Sequence, residues 1–340
     1  MKKFIYILLV VVSCAVSSCM IPFDPGFDKT PLIFLEAFPG TDADYVMFRI
    51  MPAYSKANNP VIIPFNPEII FEVNGNAVPV ECIDAEEGYY KADYKSVIGD
   101  KMTVSVASEG FQSIYAETTI PPIFPDRKID YRKEYIGSDD YDNVLYVTFS
   151  GADPKYSYGV QFLNEVIYDD ETLGTRWYLY SGDVYSPIDD SAEIVPVSLE
   201  ATDIRLNGSS LLAWDGRLLD SNLSVLAVEP TLYGYSVDDI YESFFERRGE
   251  RNHYDQNGNV IGTFTYFEHN KIRLFTMTEE FYKYKVANEF ESDYSGFVSF
   301  IAPSNYCYTN IDNGYGAFAG ASVVETDWIT KEFIENNRQR

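Results

Sequence analysis

Few residues in this chain are typed and spaced for acid–base or metal chemistry. There are two histidines, His253 and His269. Neither sits in an H-E-x-x-H or paired-cysteine pattern, and a zinc centre needs three or four such ligands brought together, so no metal or other cofactor is expected. No G-x-S-x-G elbow and no glycine-rich phosphate loop occur, which removes common nucleophilic-serine and nucleotide-binding designs. Carboxylates are abundant instead. Asp139-Asp140, Asp169-Asp170-Glu171 and Asp189-Asp190 could each supply the pair that cleaves a glycosidic bond. With 52 acidic residues, however, adjacent acids arise from composition alone. All three clusters lie in polar turns and read more simply as solvated loops, with adventitious calcium binding as the other use. The loop from Asp255 also offers oxygen ligands. An EF-hand needs glycine at its sixth position and glutamate at its twelfth, where this chain has Val260 and Tyr266. Asn257-Gly258 therefore reads as a hairpin turn.

The most specific chemistry lies at the beginning. Lys2-Lys3, the apolar run from Phe4 to Val12 and the small residue Ser18 before Cys19 form the pattern of a bacterial lipoprotein signal. Its apolar stretch is shorter than the roughly 20 residues that span a bilayer. The reading is a signal over residues 1–18 and a thiol at Cys19 that receives the lipid. Acyl chains contribute about 0.8 kcal/mol per buried methylene, and more than one chain makes the attachment stable. Two further cysteines, Cys82 and Cys307, could form a disulfide or be buried as small hydrophobes. The spacing does not choose between these.

Composition narrows the partners. Acidic residues outnumber basic ones 52 to 26, a net charge of −26. That field repels phosphates, so a nucleic-acid role is excluded. An aromatic content of 16%, with 28 Tyr and 23 Phe, points to a filled, strand-rich core. Trp177, Tyr178 and Tyr180 could stack on sugar rings, although strand alternation places one of their two faces inside.

The elements that would position these residues are mostly strands. Residues 19–29, with two prolines and a glycine, read as a tether. Leu32 to Glu36, Val46 to Ile50, Ile69 to Val73, Met102 to Val106 and Tyr115 to Ile120 are strand-like, several alternating with period two. Asn74-Gly75 marks a hairpin, and Pro121-Pro122 closes the series. This predicts an immunoglobulin-like β-sandwich over residues 30–125. Residues 126–340 read as a larger antiparallel β-rich domain with two packed helices. One is expected over 237–248, where Val237, Ile240, Tyr241, Phe244 and Phe245 form a stripe ended by Gly249. The other is expected over 277–290, with Thr276 and Glu279 as its cap pair and Phe281, Tyr284, Ala287 and Phe290 inward. No later run is apolar enough to cross a membrane as a helix, and the even ladder of an outer-membrane barrel is missing.

Near the C-terminus, Pro303, then Asn310-Ile311-Asp312-Asn313-Gly314-Tyr315-Gly316-Ala317-Phe318 and Ala321-Ser322 resemble the closing signature of the DUF4249 family. Leu32 to Glu36, Tyr115 to Pro121 and the step from Ile272-Arg273-Leu274 into the Tyr-rich helix resemble other family segments in order. The usual Gly-Gly turn is Asn313-Gly314 here. The resemblance implies a Bacteroidetes outer-membrane lipoprotein, accessory to a TonB-dependent receptor, in ligand uptake or surface binding. It supplies no catalytic residues. Asn310, Ile311, Gly314, Gly316 and Phe318 are expected to be structural, the glycines serving positive φ and the asparagine a side-chain-to-backbone bond. The expected function is non-enzymatic capture or docking at the outer membrane. A carboxylate-pair hydrolase of glycans or peptides and a structural adhesin are the alternatives, and the periplasmic and surface faces are both open.

Overall fold

The computed structural model describes residues 31–53, 63–137, 140–169, 175–180, 182–184, 197–200, 210–219, 221–222, 224–230, 247–254, 258–293 and 308–329. Most of these residues are in strands. In the first part β1 (Leu32–Ala37), β2 (Val46–Ala53), β5 (Glu81–Asp84) and β6 (Tyr89–Ala92) lie in one sheet. A second sheet holds β3 (Glu68–Val73), β4 (Asn76–Val78), β7 (Lys101–Ala107) and β8 (Ile114–Thr119). Period-two alternation puts Ile33, Leu35, Phe48 and Ile50 on the inner side of one sheet and Phe71, Met102 and Val104 on the inner side of the other. The sheets meet in one core, with Phe48 and Phe71 edge-to-face at 5.1 Å. The β3–β4 turn is Asn74-Gly75, both at positive φ (53° and 79°), as the two-residue hairpin requires.

The second part is again two sheets face to face. β9 (Arg127–Gly137), β10 (Asp140–Phe149), β13 (Gly182–Val184) and β16 (Ser224–Pro230) make a four-stranded sheet. Opposite it is a seven-stranded sheet built on two long strands, β11 (Tyr156–Tyr168) and β18 (Val260–Thr278), with β11 paired along its whole length to Tyr266–Thr278. Around these lie β12 (Thr175–Tyr180), β14 (Val197–Glu200), β15 (Ser210–Trp214), β17 (Arg247–Tyr254) and β20 (Ala321–Glu325). Phe124, Ile129, Val147 and Phe149 fill the space against Tyr158, Val160, Trp214, Ile272 and Leu274.

Helix α1 (Glu279–Asp293) follows β18 without a loop and packs on the other face of the seven-stranded sheet. Phe281, Tyr284 and Ala287 turn inward as their spacing predicts. Its cap differs from expectation. Thr276 is a buried residue of β18, and the Thr278 hydroxyl accepts the Phe281 N–H at 3.4 Å. The helix expected over 237–248 falls outside the described residues apart from Arg247 and Arg248. Those two open strand β17 and do not close a helix. Thus one of the two expected helices is described. Among the described residues no helix is long and apolar enough to cross a membrane.

The chain then doubles back. β19 (Tyr315–Phe318) does not join the second pair of sheets. It pairs in parallel with β1, placing Phe318 in the first core, while β20, two residues later, pairs with β18.

Candidate functional site

The outer face of the seven-stranded sheet carries its charges in rows. Across β11 and β18, Gln161 faces Arg273, Leu163 faces Lys271 and Glu165 faces His269, while β20 sets Glu325 beside Arg273. The Arg273 side chain is only 6% exposed. It donates to Gln161 at 3.1 Å, pairs with Asp42 from the β1–β2 loop, and holds its Nε 3.3 Å from Glu325. A guanidinium brought this far out of water needs such a ring of acceptors. Lys271 pairs with Glu325 and stands 4.8 Å over the Trp328 ring. Trp328 in turn stacks on His269, with ring centres 3.5 Å apart and planes 9° apart, and His269 Nε2 is bonded to Glu165. A histidine–carboxylate pair is the raw material of a general base. Here the histidine is 8% exposed and lies between Trp328 and the Phe267 ring. The pair ties β11 to β18, and Trp328 stacked on the histidine fastens the C-terminal segment to the sheet.

Further along the same sheet is an open groove of about 500 Å³, lined by Ile167, Tyr168, Asp169, Gly249, Glu250, Thr265, Tyr266 and Phe267. Its shape follows from register. Tyr266 lies directly across from Gly249, where any Cβ would stand 2.7 Å from the tyrosine ring, so the missing side chain makes room for the aromatic one. Tyr168 pairs with Tyr266 and meets Phe264 edge-to-face at 5.2 Å, a packed aromatic layer beneath the groove, while Ile167 and Phe267, paired on the face that carries Thr265, supply its apolar side. Asp169 and Glu250 flank Thr265 on the neighbouring strands. Strands are about 4.8 Å apart, so the two acids are separated by about 10 Å at the backbone. Asp169 accepts the Thr265 N–H at 2.8 Å and its hydroxyl through the other oxygen. Asp169, Glu250 and Thr265 are all exposed.

Among the described residues of the three acidic clusters, Asp169 reaches this groove. Asp140 opens β10, and Asp139, Asp170, Glu171, Asp189 and Asp190 lie outside the described residues. Trp177, Tyr178 and Tyr180 are in β12, paired with β11. His253 is in β17, on a different strand from His269. Among the described residues no three His, Cys, Asp or Glu side chains gather to hold a metal ion. Cys82 is a free thiol, exposed on edge strand β5 with that strand's other three side chains. Cys19 and Cys307 lie outside the described residues. Sequence reasoning passed over Glu250, Thr265, Tyr168 and Phe267. The groove forms where residues 260–265 of β18 run past the end of β11 and are paired by β17.

The signature residues gather around β1. The Asn310 side chain donates to the Phe318 carbonyl at 2.8 Å and accepts the Phe318 N–H at 3.0 Å, holding that residue from both sides. Ile311 is buried in the first core. Gly316 has φ +103° and passes so close to the Leu35 carbonyl that no Cβ fits. Gly314 is needed for a different reason from the one expected. Its φ is not in the positive region, but a Cβ there would lie 2.7 Å from both Ile33 O and the Ile114 side chain.

Residues 21–327 match the family described as "Domain of unknown function (DUF4249)". No curated protein matches. Among solved structures, similarity is weak. The "Biofilm associated protein - B domain" aligns over 88% of this chain and 86% of its own at 10% identity and a TM-score of 0.20. The "BSP domain" of a biofilm associated protein aligns over 88% and 59% at 9% identity and 0.20. A structure reported for manganese lipoxygenase of Gaeumannomyces graminis with part of zonadhesin of Komagataella pastoris aligns over 74% and 90% at 14% identity and 0.19.

Proposed function

The chain belongs to the DUF4249 family, and from that premise we propose a lipid-anchored binding protein of the cell envelope that captures a ligand without breaking bonds. The observation that supports capture is the state of the groove's carboxylates. A general acid for glycoside or peptide cleavage needs a carboxyl kept neutral by burial or by a close like charge. Asp169 and Glu250 are exposed, and Asp169 is committed to Thr265. Apolar Ile167 and Phe267 beside the hydrogen-bonding groups of Asp169, Thr265 and Glu250 are what a ligand-holding surface requires. The anchor in this reading is an acylated Cys19, the location is the outer membrane, and the partner is a TonB-dependent receptor that takes over the captured ligand. Treating the first sandwich as immunoglobulin-like is part of the same proposal and is supported by its two facing sheets.

The test is recovery of complexes from native membranes in mild detergent, using a C-terminal tag and an intact Cys19. A TonB-dependent receptor in near-stoichiometric amount, lost in Cys19→Ser, is the expected result. Recovery of the tagged chain alone, together with glycan or peptide turnover that disappears in Glu250→Gln, would overturn it in favour of the hydrolase.

A further inference from the structure

The first sandwich is not built from the first part of the chain alone. β1 has β2 on one side, and its other side is taken by β19, in parallel, from Phe34 opposite Tyr315 to Ala37 opposite Phe318. Without that strand β1 would be a sheet edge with a row of unpaired backbone groups, and the core would lack Phe318 and Ile311, which are 0% and 4% exposed. The same segment reaches the facing sheet. Asp312 donates its N–H to Tyr115 O at 2.8 Å and accepts the Tyr115 N–H at 3.4 Å. Residues 310–318 therefore join the two sheets at the end where Ile33, Ile114 and Ile311 meet. Their path is fitted to that position by Gly314 and Gly316, each passing a β1 carbonyl where a side chain would collide, and by the Asn310 clamp. Beyond it, Gly320 donates its N–H to Thr118 Oγ1 at 2.9 Å and accepts the Thr278 N–H at 3.1 Å, tying the step into β20 to both sandwiches.

We infer that residues 308–318 act as an in-chain donor strand, without which the first sandwich does not close. The native state of residues 31–120 is then coupled to arrival of the last strands. A chain made from its N-terminus carries an incomplete sandwich until its end is available, and the pairing that completes it is among the most non-local and slowest to form. This rests on strand pairing and packing and is independent of the groove.

Pulse-labelled hydrogen exchange during refolding of the full chain tests it. Amides of β1, β2 and β7 are expected to become protected in the same kinetic phase as those of β19. In Gly316→Val, equilibrium protection of β1 and β2 is expected to fall at least about tenfold. Protection of β2 and β7 in a phase that precedes β19 would overturn the inference. So would a Gly316→Val chain whose β1 and β2 protection stays within about twofold of the parent. If that variant does not fold, the phases of the unsubstituted chain still decide.

Discussion

At the residue scale, the charged groups that matter most are those given a fixed partner. Arg273 illustrates this. Removing Asp42 or Glu325 leaves part of its shell, whereas Arg273→Leu takes the guanidinium from both Asp42 and Gln161 at the junction of the two sandwiches, Glu325 keeping Lys271. Breaking a buried pair from one side costs about 3–5 kcal/mol. Because Glu325 is 36% exposed and Asp42 20%, urea unfolding is expected to show the lower end of that range. Asp215 shows a pH-dependent case. The Arg217 guanidinium donates to its carboxylate and holds its pKa below the usual aspartate range. A depressed folded pKa contributes stability above the unfolded value of about 3.9, and that contribution disappears as pH falls through the folded value. Unfolding of Asp215→Asn should therefore lose part of the steepness below about pH 4 that the parent shows. Tyr308 titrates at the opposite extreme. Burial, with Glu280 and Glu279 nearby, pushes its pKa up to about 12, so its contribution is complete below about pH 10 and is lost as pH rises from there through the folded value.

At the element scale, helix α1 starts where a strand stops, and a single hydroxyl marks the change. Thr278 ends β18 and caps α1. Thr278→Val keeps the strand-favouring shape and removes the acceptor, which should cost about 1 kcal/mol in chemical denaturation. Thr276→Val is the contrast. Its hydroxyl is buried without a partner, so replacing it by a methyl group is expected to be neutral or slightly stabilising. The alternating strands and the Asn74-Gly75 turn were legible in the sequence because local sterics decide them. The cap was displaced from Thr276 to Thr278 because pairing of β18 with β11 continues through Met277 and Thr278 and keeps the residues after Thr276 extended, and that pairing depends on residues far away in sequence.

At the scale of the whole molecule, the C-terminal segment is the common part of two sandwiches. Phe318 is 0% exposed and packs against both Phe48 and Phe71 at 6.4 Å. Phe318→Ala should cost about 3–5 kcal/mol and lower the unfolding midpoint of the first sandwich, followed by near-ultraviolet circular dichroism. Acidity acts at this scale as well, since a net charge of −26 keeps copies apart in solution and disfavours anionic partners.

Local pattern was enough to establish a β-rich chain, the two-residue turn at Asn74, the inward face of the helix after β18 and the family signature at 310–318. Each depends on side-chain periodicity, on backbone sterics or on residue identity in order. The tertiary structure alone decided that the signature strand leaves its sequence neighbours for β1, and that Gly314 is needed for close approach where positive φ was expected. It also brought Asp169, Thr265 and Glu250 into one groove from three strands and surrounded Arg273 with acceptors from Asp42 to Glu325. The physical reason is the same in each case. Alternation fixes which face a side chain occupies, but it carries no information about which distant strand lies alongside. That choice is made when the sheets pair and the core fills.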